Sequence, residues 1–263
     1  MATMRIEYNS EALMQYREVT VIYPDSSEVT AEEAADTDIP VLYLLHGMNG
    51  NQNSWTGRTN LERLVRHTNL IVVMPNSDNA WYTNTASGLN YYDAIAEELP
   101  QILRRFFPNM TQRREKTFIA GLSMGGYGAY KIALKTNRFS YAGSFSGAIG
   151  LGLAGLDVTE LTDGDRTYWQ GVFGELDDLS GSEHILTNVV GEHDGQTKFY
   201  AWCGEEDFLY ASTQTAVNEM TNLGLELTYD HALGTHDWYY WEKQIEIFLE
   251  MLPINYVKEE RLS

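Results

Sequence analysis

Apolar residues in this chain gather into short runs of strand length, set apart by stretches rich in Gly, Asn, Asp and Pro. Arg17 to Tyr23 (REVTVIY) alternates polar and apolar side chains, which predicts an early strand, antiparallel and near a sheet edge. Pro24 to Asp38 is polar and acidic and reads as an exposed hairpin loop. Ile39 to Leu45 (IPVLYLL) and Leu70 to Met74 (LIVVM) are unbroken apolar runs, the pattern of strands covered on both faces. Further strands are predicted at Thr117 to Ala120, Tyr141 to Ser146, Lys198 to Cys203 and Leu225 to Tyr229.

Between these runs the spacing turns helical. In Asn90 to Phe107 the apolar residues Tyr92, Ile95, Leu99, Ile102, Leu103 and Phe106 recur on one face, and Pro100 must kink or restart the helix. Helices are also predicted at Leu61 to His67, Gly126 to Leu134, Leu209 to Leu223 and Trp238 to Leu252. Strands alternating with helices predict an α/β fold, a mostly parallel central sheet with helices on both faces. Gly147 to Gly195 breaks the alternation and is rich in Gly and Asp. It is expected to be a cap-like insertion over the carboxyl ends of the strands, within a single domain spanning residues 1–263.

Composition narrows the function classes. With 263 residues, 43% of them hydrophobic, the chain can bury one large core, and no stretch is long and apolar enough to span a bilayer. Its 37 acidic residues outnumber 18 basic ones, for a net charge of −19. Such a surface repels phosphate backbones and anionic lipid, so neither a nucleic-acid nor a membrane partner is expected. The first residues have no apolar signal-peptide core, and the lone Cys203 fits a reducing compartment, so the expected location is cytoplasmic. Exposed aromatics in the last helix point to a homo-oligomer as a further expectation.

The candidate chemistry centres on Lys116 to Tyr130 (KTFIAGLSMGGYGAY). Gly121-Leu122-Ser123-Met124-Gly125 fits G-x-S-x-G, and it lies between a predicted strand and a predicted helix. A sharp turn there lifts the Ser123 hydroxyl above the sheet edge, while glycines at 121 and 125 remove β-carbons that would strike the neighbouring strand and helix. Ser123 is therefore the candidate nucleophile. The loop His46 to Gly50 ends a central strand, where α/β proteins place ligands. Its Met48 N–H, with the Met124 N–H that follows the nucleophile, is the expected oxyanion hole, and the His46 ring is expected to order the loop. Trp81 and Tyr82 are candidates to line a substrate pocket. An acid just past a strand end suits Asp207, with Glu205 and Glu206 as alternatives in the same loop. His236, in a loop before the last helix, is the expected base, with His231 as the alternative, and Asp237 is placed to cap that helix. No His, Asp and Cys spacing fits a metal site, and no cofactor is expected. Cys203 is expected to be a buried, inert core residue, and His184, His193 and Asp194 to be surface residues.

Four segments carry a resemblance: LYLLHGMNGNQNSW at 42–55, YYDAIAEELPQIL at 91–103, FIAGLSMGGYGAY at 118–130 and GTHDWYYWEKQIEIFL at 234–249. Together they resemble the esterase D-like branch of α/β-hydrolases. That branch includes bacterial tributyrin and acetyl esterases, feruloyl esterases, S-formylglutathione hydrolases and, more distantly, mycolyltransferases. The tributyrin esterase type is the nearest look. The resemblance implies an α/β-hydrolase fold and cofactor-free hydrolysis of a small-molecule carboxylic ester by Ser123, Asp207 and His236. Acetyl, butyryl or feruloyl esters, including those on carbohydrate, are the implied substrates; a glutathione thioesterase, an acyltransferase and a non-catalytic binding module on the same scaffold are the alternatives. S-formylglutathione hydrolases typically carry an S-G-L-T-C-like loop where this chain has His46 to Asn51, a departure that favours a simple esterase.

Overall fold

A computed structural model of the chain describes residues 1–153, 156, 158 and 163–258. Its strands are β1 (Ala2–Ser10), β2 (Gln15–Tyr23), β3 (Val41–Leu45), β4 (Ile71–Pro75), β5 (Thr117–Leu122), β6 (Tyr141–Phe145), β7 (Lys198–Gly204) and β8 (Leu227–Ala232). They form one sheet in the order β1-β2-β4-β3-β5-β6-β7-β8. The β1–β2 and β2–β4 pairs are antiparallel, and the pairs from β4 through β8 are parallel. The principal helices are α1 (Ala31–Ala34), α2 (Ser54–Arg58), α3 (Leu61–Leu64), α4 (Leu99–Phe106), α5 (Met124–Lys135), α6 (Asp163–Phe173), α7 (Leu186–Val189), α8 (Tyr210–Asn222) and α9 (Trp238–Met251).

The unbroken apolar runs produce a core on each face of the sheet, because alternate side chains of a strand point opposite ways. Val41, Tyr43 and Leu45 of β3 join the cluster that contains Tyr127 and Tyr130 of α5 and Leu103 of α4. Leu42 and Leu44 join the opposite cluster, with Trp55 of α2, Leu61 of α3 and Trp241, Ile245 and Phe248 of α9. The α/β class and the helices on both faces thus follow directly from the sequence pattern.

Three elements differ from the expectations. β1 lies outside the predicted set, although Met4, Ile6 and Tyr8 alternate with Thr3, Arg5 and Glu7 in the pattern of an edge strand, with its charged positions exposed. Residues 24–38 do not close a hairpin: β4 lies between β2 and β3, so this segment is a crossover, and it folds α1 behind a Thr30–Glu33 capping box. β8 starts later than expected and runs through His231, because the Leu225 N–H donates to the Met220 carbonyl (3.0 Å) in closing α8.

Pro100 has the predicted effect. A π-helical stretch, Asp93–Glu98, gives way to α4, with the proline in its first turn. Pro100 has no N–H to offer the Ala96 carbonyl, and the Arg138 guanidinium donates to that oxygen while pairing with Glu97.

Within the expected insertion 147–195, residues 154, 155, 157 and 159–162 lie outside the described ones. The remainder carries α6 and α7 and is tied to α5 by a buried polar cluster. Lys131 of α5 is fully buried; its Nζ donates to Thr83 Oγ1 (2.6 Å) and lies 3.1 Å from His184 Nδ1. His184 is therefore half-buried rather than a surface residue, with Phe173 packed on its ring. The His193 side chain is likewise buried, edge-on to Phe199, while Asp194 pairs with Arg114.

Burial lowers the Lys131 ammonium from its ordinary 10.5 to about 7, with Glu183 opposing the shift only in part. Between those values the unfolded chain holds a proton that the folded chain has released, so this group makes the fold gain stability as pH rises through the window. The stability of wild type relative to Lys131→Met, from urea unfolding, should rise by on the order of 2 kcal/mol between about pH 7 and about pH 9. A difference that stays flat across that range would mean that Lys131 keeps its proton in the fold.

Candidate active site

Four strand ends build the site, beginning with the turn between β5 and α5. Ser123 sits there with φ 52° and ψ −121°, a left-handed backbone unusual for a residue with a β-carbon. The conformation is pinned from both sides. Its N–H donates to the Phe145 carbonyl (3.1 Å), and its own carbonyl accepts from the N–H groups of Gly126 (3.0 Å), Ala148 (3.1 Å) and Tyr127 (3.2 Å). The flanking glycines allow helix and strand to close on the turn. A β-carbon on Gly121 would lie 2.3 Å from the Gly125 oxygen, and one on Gly125 would lie 2.5 Å from the Leu45 oxygen.

The loop after β3 approaches this turn closely: a β-carbon on Gly47 would lie 3.2 Å from that of Ser123. The buried His46 ring orders the loop, as expected. Its Nε2 accepts the Ser77 N–H at 3.0 Å and its Nδ1 donates to the Gly47 carbonyl at 2.7 Å, an assignment that follows from the fixed role of each backbone partner. Burial lowers the His46 pKa and keeps the ring neutral, as that hydrogen-bond pattern requires. Trp55 Nε1 (to Leu45 O, 3.0 Å) and the Tyr82 hydroxyl (to His46 O, 2.9 Å) anchor the strand end from either face.

Loops after β7 and β8 supply the remaining groups, and they are hydrogen-bonded to each other. Glu205 N–H donates to Ala232 O and Glu206 N–H to Gly234 O, both at 2.9 Å. Gly204 permits the approach, since a β-carbon there would lie 2.2 Å from the Gly234 oxygen. This arrangement brings Asp207 Oδ2 within 2.8 Å of His236 Nδ1, and His236 Nε2 within 3.0 Å of Ser123 Oγ. The Asp207 carboxylate only accepts, so Nδ1 carries the imidazole proton and Nε2 is free to accept from the serine hydroxyl. Burial alone would raise the Asp207 carboxyl. The hydrogen bonds from His236 and from the Leu209 N–H (2.9 Å) outweigh burial and hold it below the usual carboxylate range. Phe208 and Trp241 pack on the His236 ring at 4.7 and 4.8 Å between centroids. Asp237 caps α9 as predicted, accepting from Tyr239 N–H at 2.9 Å. Chemically, the chain of groups is arranged to take a proton from Ser123 onto a histidine whose other nitrogen faces a carboxylate.

Ser123 and His236 open onto a cavity of about 390 Å³ whose other walls include Met48, Phe208 and Trp238. Met124 begins α5 directly after Ser123. The alternative candidates lie elsewhere: His231 is on β8 and engages Glu205 at 2.8 Å, and neither residue, nor Glu206, lines the cavity. Trp81 and Tyr82 do not line it either. Trp81 is buried among Tyr127, Trp169 and Phe173, and Tyr82 is fully buried with its hydroxyl on His46, so both are core residues with left-handed backbones (φ 54° and 50°). The aromatic walls are instead Phe208, Trp238 and Trp241, joined by Arg58 of α2. Their proximity to Asp207 and His236 in the sequence was the available signal for the first three; Arg58 had none. Cys203 is buried, and burial pushes its thiol up to about 12, as suits an inert core residue. No group of three His, Cys, Asp or Glu side chains among the described residues is placed to hold a metal ion.

The sheet order, the strained serine turn and the loops at the strand ends define an α/β-hydrolase fold. The chain belongs to the family described as "Putative esterase", which it matches over residues 10–250. It is 32% identical to the acetyl esterase of Caldicellulosiruptor saccharolyticus, in an alignment that covers 93% of this chain and 96% of that enzyme. Among solved structures, it resembles the fluorophosphonate-binding serine hydrolase FphF of Staphylococcus aureus, with 27% identity, a TM-score of 0.81 and coverage of 95% of this chain and 98% of the other. It also resembles the S-formylglutathione hydrolase FrmB of the same organism, with 28% identity, a TM-score of 0.79 and the same coverage. The protein is a carboxylic ester hydrolase.

The close approach at Gly125 yields a direct test. Gly125→Ala should lower stability by on the order of 3 kcal/mol, since its β-carbon would lie 2.5 and 2.6 Å from the Leu45 and His46 backbone oxygens, which cannot turn aside. Gly57→Ala, whose β-carbon meets nothing within 4 Å, is the control and should stay within about 1 kcal/mol of wild type. Equal stability of the two variants in urea unfolding would show that the turn has room to spare.

Proposed function

We propose that this esterase hydrolyses short-chain acyl esters through a Ser123–His236–Asp207 triad and an acyl-enzyme. The observation that carries the reading is the unbroken hydrogen-bond chain from Asp207 Oδ2 to His236 Nδ1 (2.8 Å) and from His236 Nε2 to Ser123 Oγ (3.0 Å). In this mechanism Ser123 Oγ attacks the ester carbonyl carbon as His236 Nε2 takes its proton, and Asp207 stabilises the imidazolium. The N–H groups of Met48 and Met124 hold the oxyanion of the tetrahedral intermediate. His236 then protonates the departing alcohol, and a water deprotonated by the same nitrogen releases the acid.

Acetyl, butyryl or feruloyl esters, including those on carbohydrate, are the proposed substrate class. The acetyl esterase relative supports the acyl preference, and the cavity of about 390 Å³ supports a small substrate. The likeness to FrmB, an S-formylglutathione hydrolase, supports a thioester as the second reading. Residues 147–195 are proposed to act as an access-shaping insertion. Tyr168 of α6 donates to the Asn79 carbonyl (2.6 Å), and the Asn79 side chain accepts the Asn49 N–H (2.8 Å) beside Met48, so this segment braces the oxyanion loop. A cytoplasmic location is the proposal that fits the single buried Cys203.

Against p-nitrophenyl acetate and butyrate, Ser123→Ala should lower kcat/KM by at least about 10⁴-fold, and Asp207→Asn by about 10³- to 10⁴-fold, both with wild-type circular dichroism. Octanoate and methyl ferulate, assayed alongside, read the acyl limit. Wild-type rates in folded Ser123→Ala would sink the nucleophile assignment. Failure of the folded wild type to react with a fluorophosphonate would favour a binding module.

A further inference from the structure

A feature of the cavity wall outside the proposed triad bears on which esters enter. Two residues of α2 one helical turn apart, Ser54 and Arg58, line the same cavity as Ser123 and His236. The helix is fixed on its other side: Trp55 is buried, its Nε1 is bonded to Leu45 O at 3.0 Å, and its carbonyl accepts both the N–H (3.1 Å) and the hydroxyl (2.6 Å) of Thr59. Arg58 therefore projects from an anchored base. Its guanidinium lies over the Trp238 ring, 5.8 Å from the centroid, and Trp238 in turn packs edge-on against Trp55 and Trp241.

The chain carries a net −19, and Arg17, Arg114 and Arg138 are each matched to a carboxylate. Arg58 has no carboxylate partner among the described residues, and none lines the cavity. Asp207 lies behind the His236 ring, with a fully buried side chain. A surface of this charge repels anions, so an anionic substrate needs a local cation at the site it enters.

We propose that Arg58 is a specificity residue and that the preferred ester carries a carboxylate, which the guanidinium binds while Trp238 supports the adjoining part of the substrate. The inference rests on the esterase reading of the same site. A planar guanidinium held over an aromatic ring keeps its edge free to bind a carboxylate through two parallel N–H groups. One guanidinium neutralises one negative charge, which matches a carboxylate; a phosphate dianion would remain uncompensated against the acidic surface.

The test compares charged and neutral members of two ester pairs. One pair, para-acetoxybenzoate and its methyl ester, places the carboxylate on the leaving group. The other, p-nitrophenyl hydrogen glutarate and p-nitrophenyl methyl glutarate, places it on the acyl group. For one pair, the charged-to-neutral ratio of kcat/KM should fall by roughly fivefold in Arg58→Gln and further in Arg58→Glu. The wild-type ratio should fall toward that of Arg58→Gln at about 0.5 M salt. The pair that responds assigns the carboxylate to the alcohol or the acyl side. Ratios unchanged by both substitutions in both pairs would overturn the proposal. Turnover of the neutral esters reads the esterase assignment separately. Should wild type hydrolyse neither member of either pair, calorimetric binding of para-acetamidobenzoate still reads Arg58: affinity lowered by roughly fivefold in Arg58→Gln supports it, and equal affinity overturns it.

Discussion

The structure depends on one strained turn. Ser123 holds a left-handed backbone only because its carbonyl accepts three N–H groups and its own N–H reaches the Phe145 oxygen of the neighbouring strand. That network requires α5 to start hard against the ends of β5 and β3, a distance only glycine allows at positions 121 and 125. The same contact brings the loop after β3 beside the serine, so the turn sets both the proposed nucleophile and the backbone expected to face the substrate carbonyl.

A second close approach couples the proposed acid and base. The loops after β7 and β8 are parallel-strand neighbours, joined by the Glu205 and Glu206 N–H groups and kept close by Gly204. Asp207 and His236 are therefore held together, and the Phe208 and Trp241 rings both pack on the imidazole. Buried hydrogen bonds of this kind define a geometry more than they add stability, because each replaces a bond to water.

Relatives of different activity share this frame: an acetyl esterase, a fluorophosphonate-binding serine hydrolase and an S-formylglutathione hydrolase. A common frame with different chemistries places substrate choice in the walls. Here those walls come from α2, the start of α9 and the residue after Asp207. Trp81 and Tyr82 instead transmit support. Trp81 packs between Tyr127 of α5 and Trp169 of α6, and the Tyr82 hydroxyl holds the His46 carbonyl in place.

Much of this was legible from local pattern. Unbroken apolar runs such as Ile39 to Leu45 specify a strand buried on both faces, and G-x-S-x-G after a strand specifies the turn, because each signal lies within a few residues. The placement of Ser123, Asp207 and His236 was readable for the same reason, each residue following its own strand. Elements whose placement depends on distant neighbours were not readable. Residues 24–38 look like a hairpin until β4 is known to lie between β2 and β3. Trp81 looks like a pocket aromatic until α6 packs on it, Tyr82 until its hydroxyl is found on the His46 carbonyl, and Arg58 carries no local mark of the cavity it lines. Chain identity by itself determined the strands, the helices and the serine turn, since these follow from side-chain periodicity and backbone sterics. Tertiary structure alone decided which loops converge and which rings face the cavity, since those contacts join residues well apart in the chain, from 29 positions for Asp207 and His236 to 113 for Ser123 and His236.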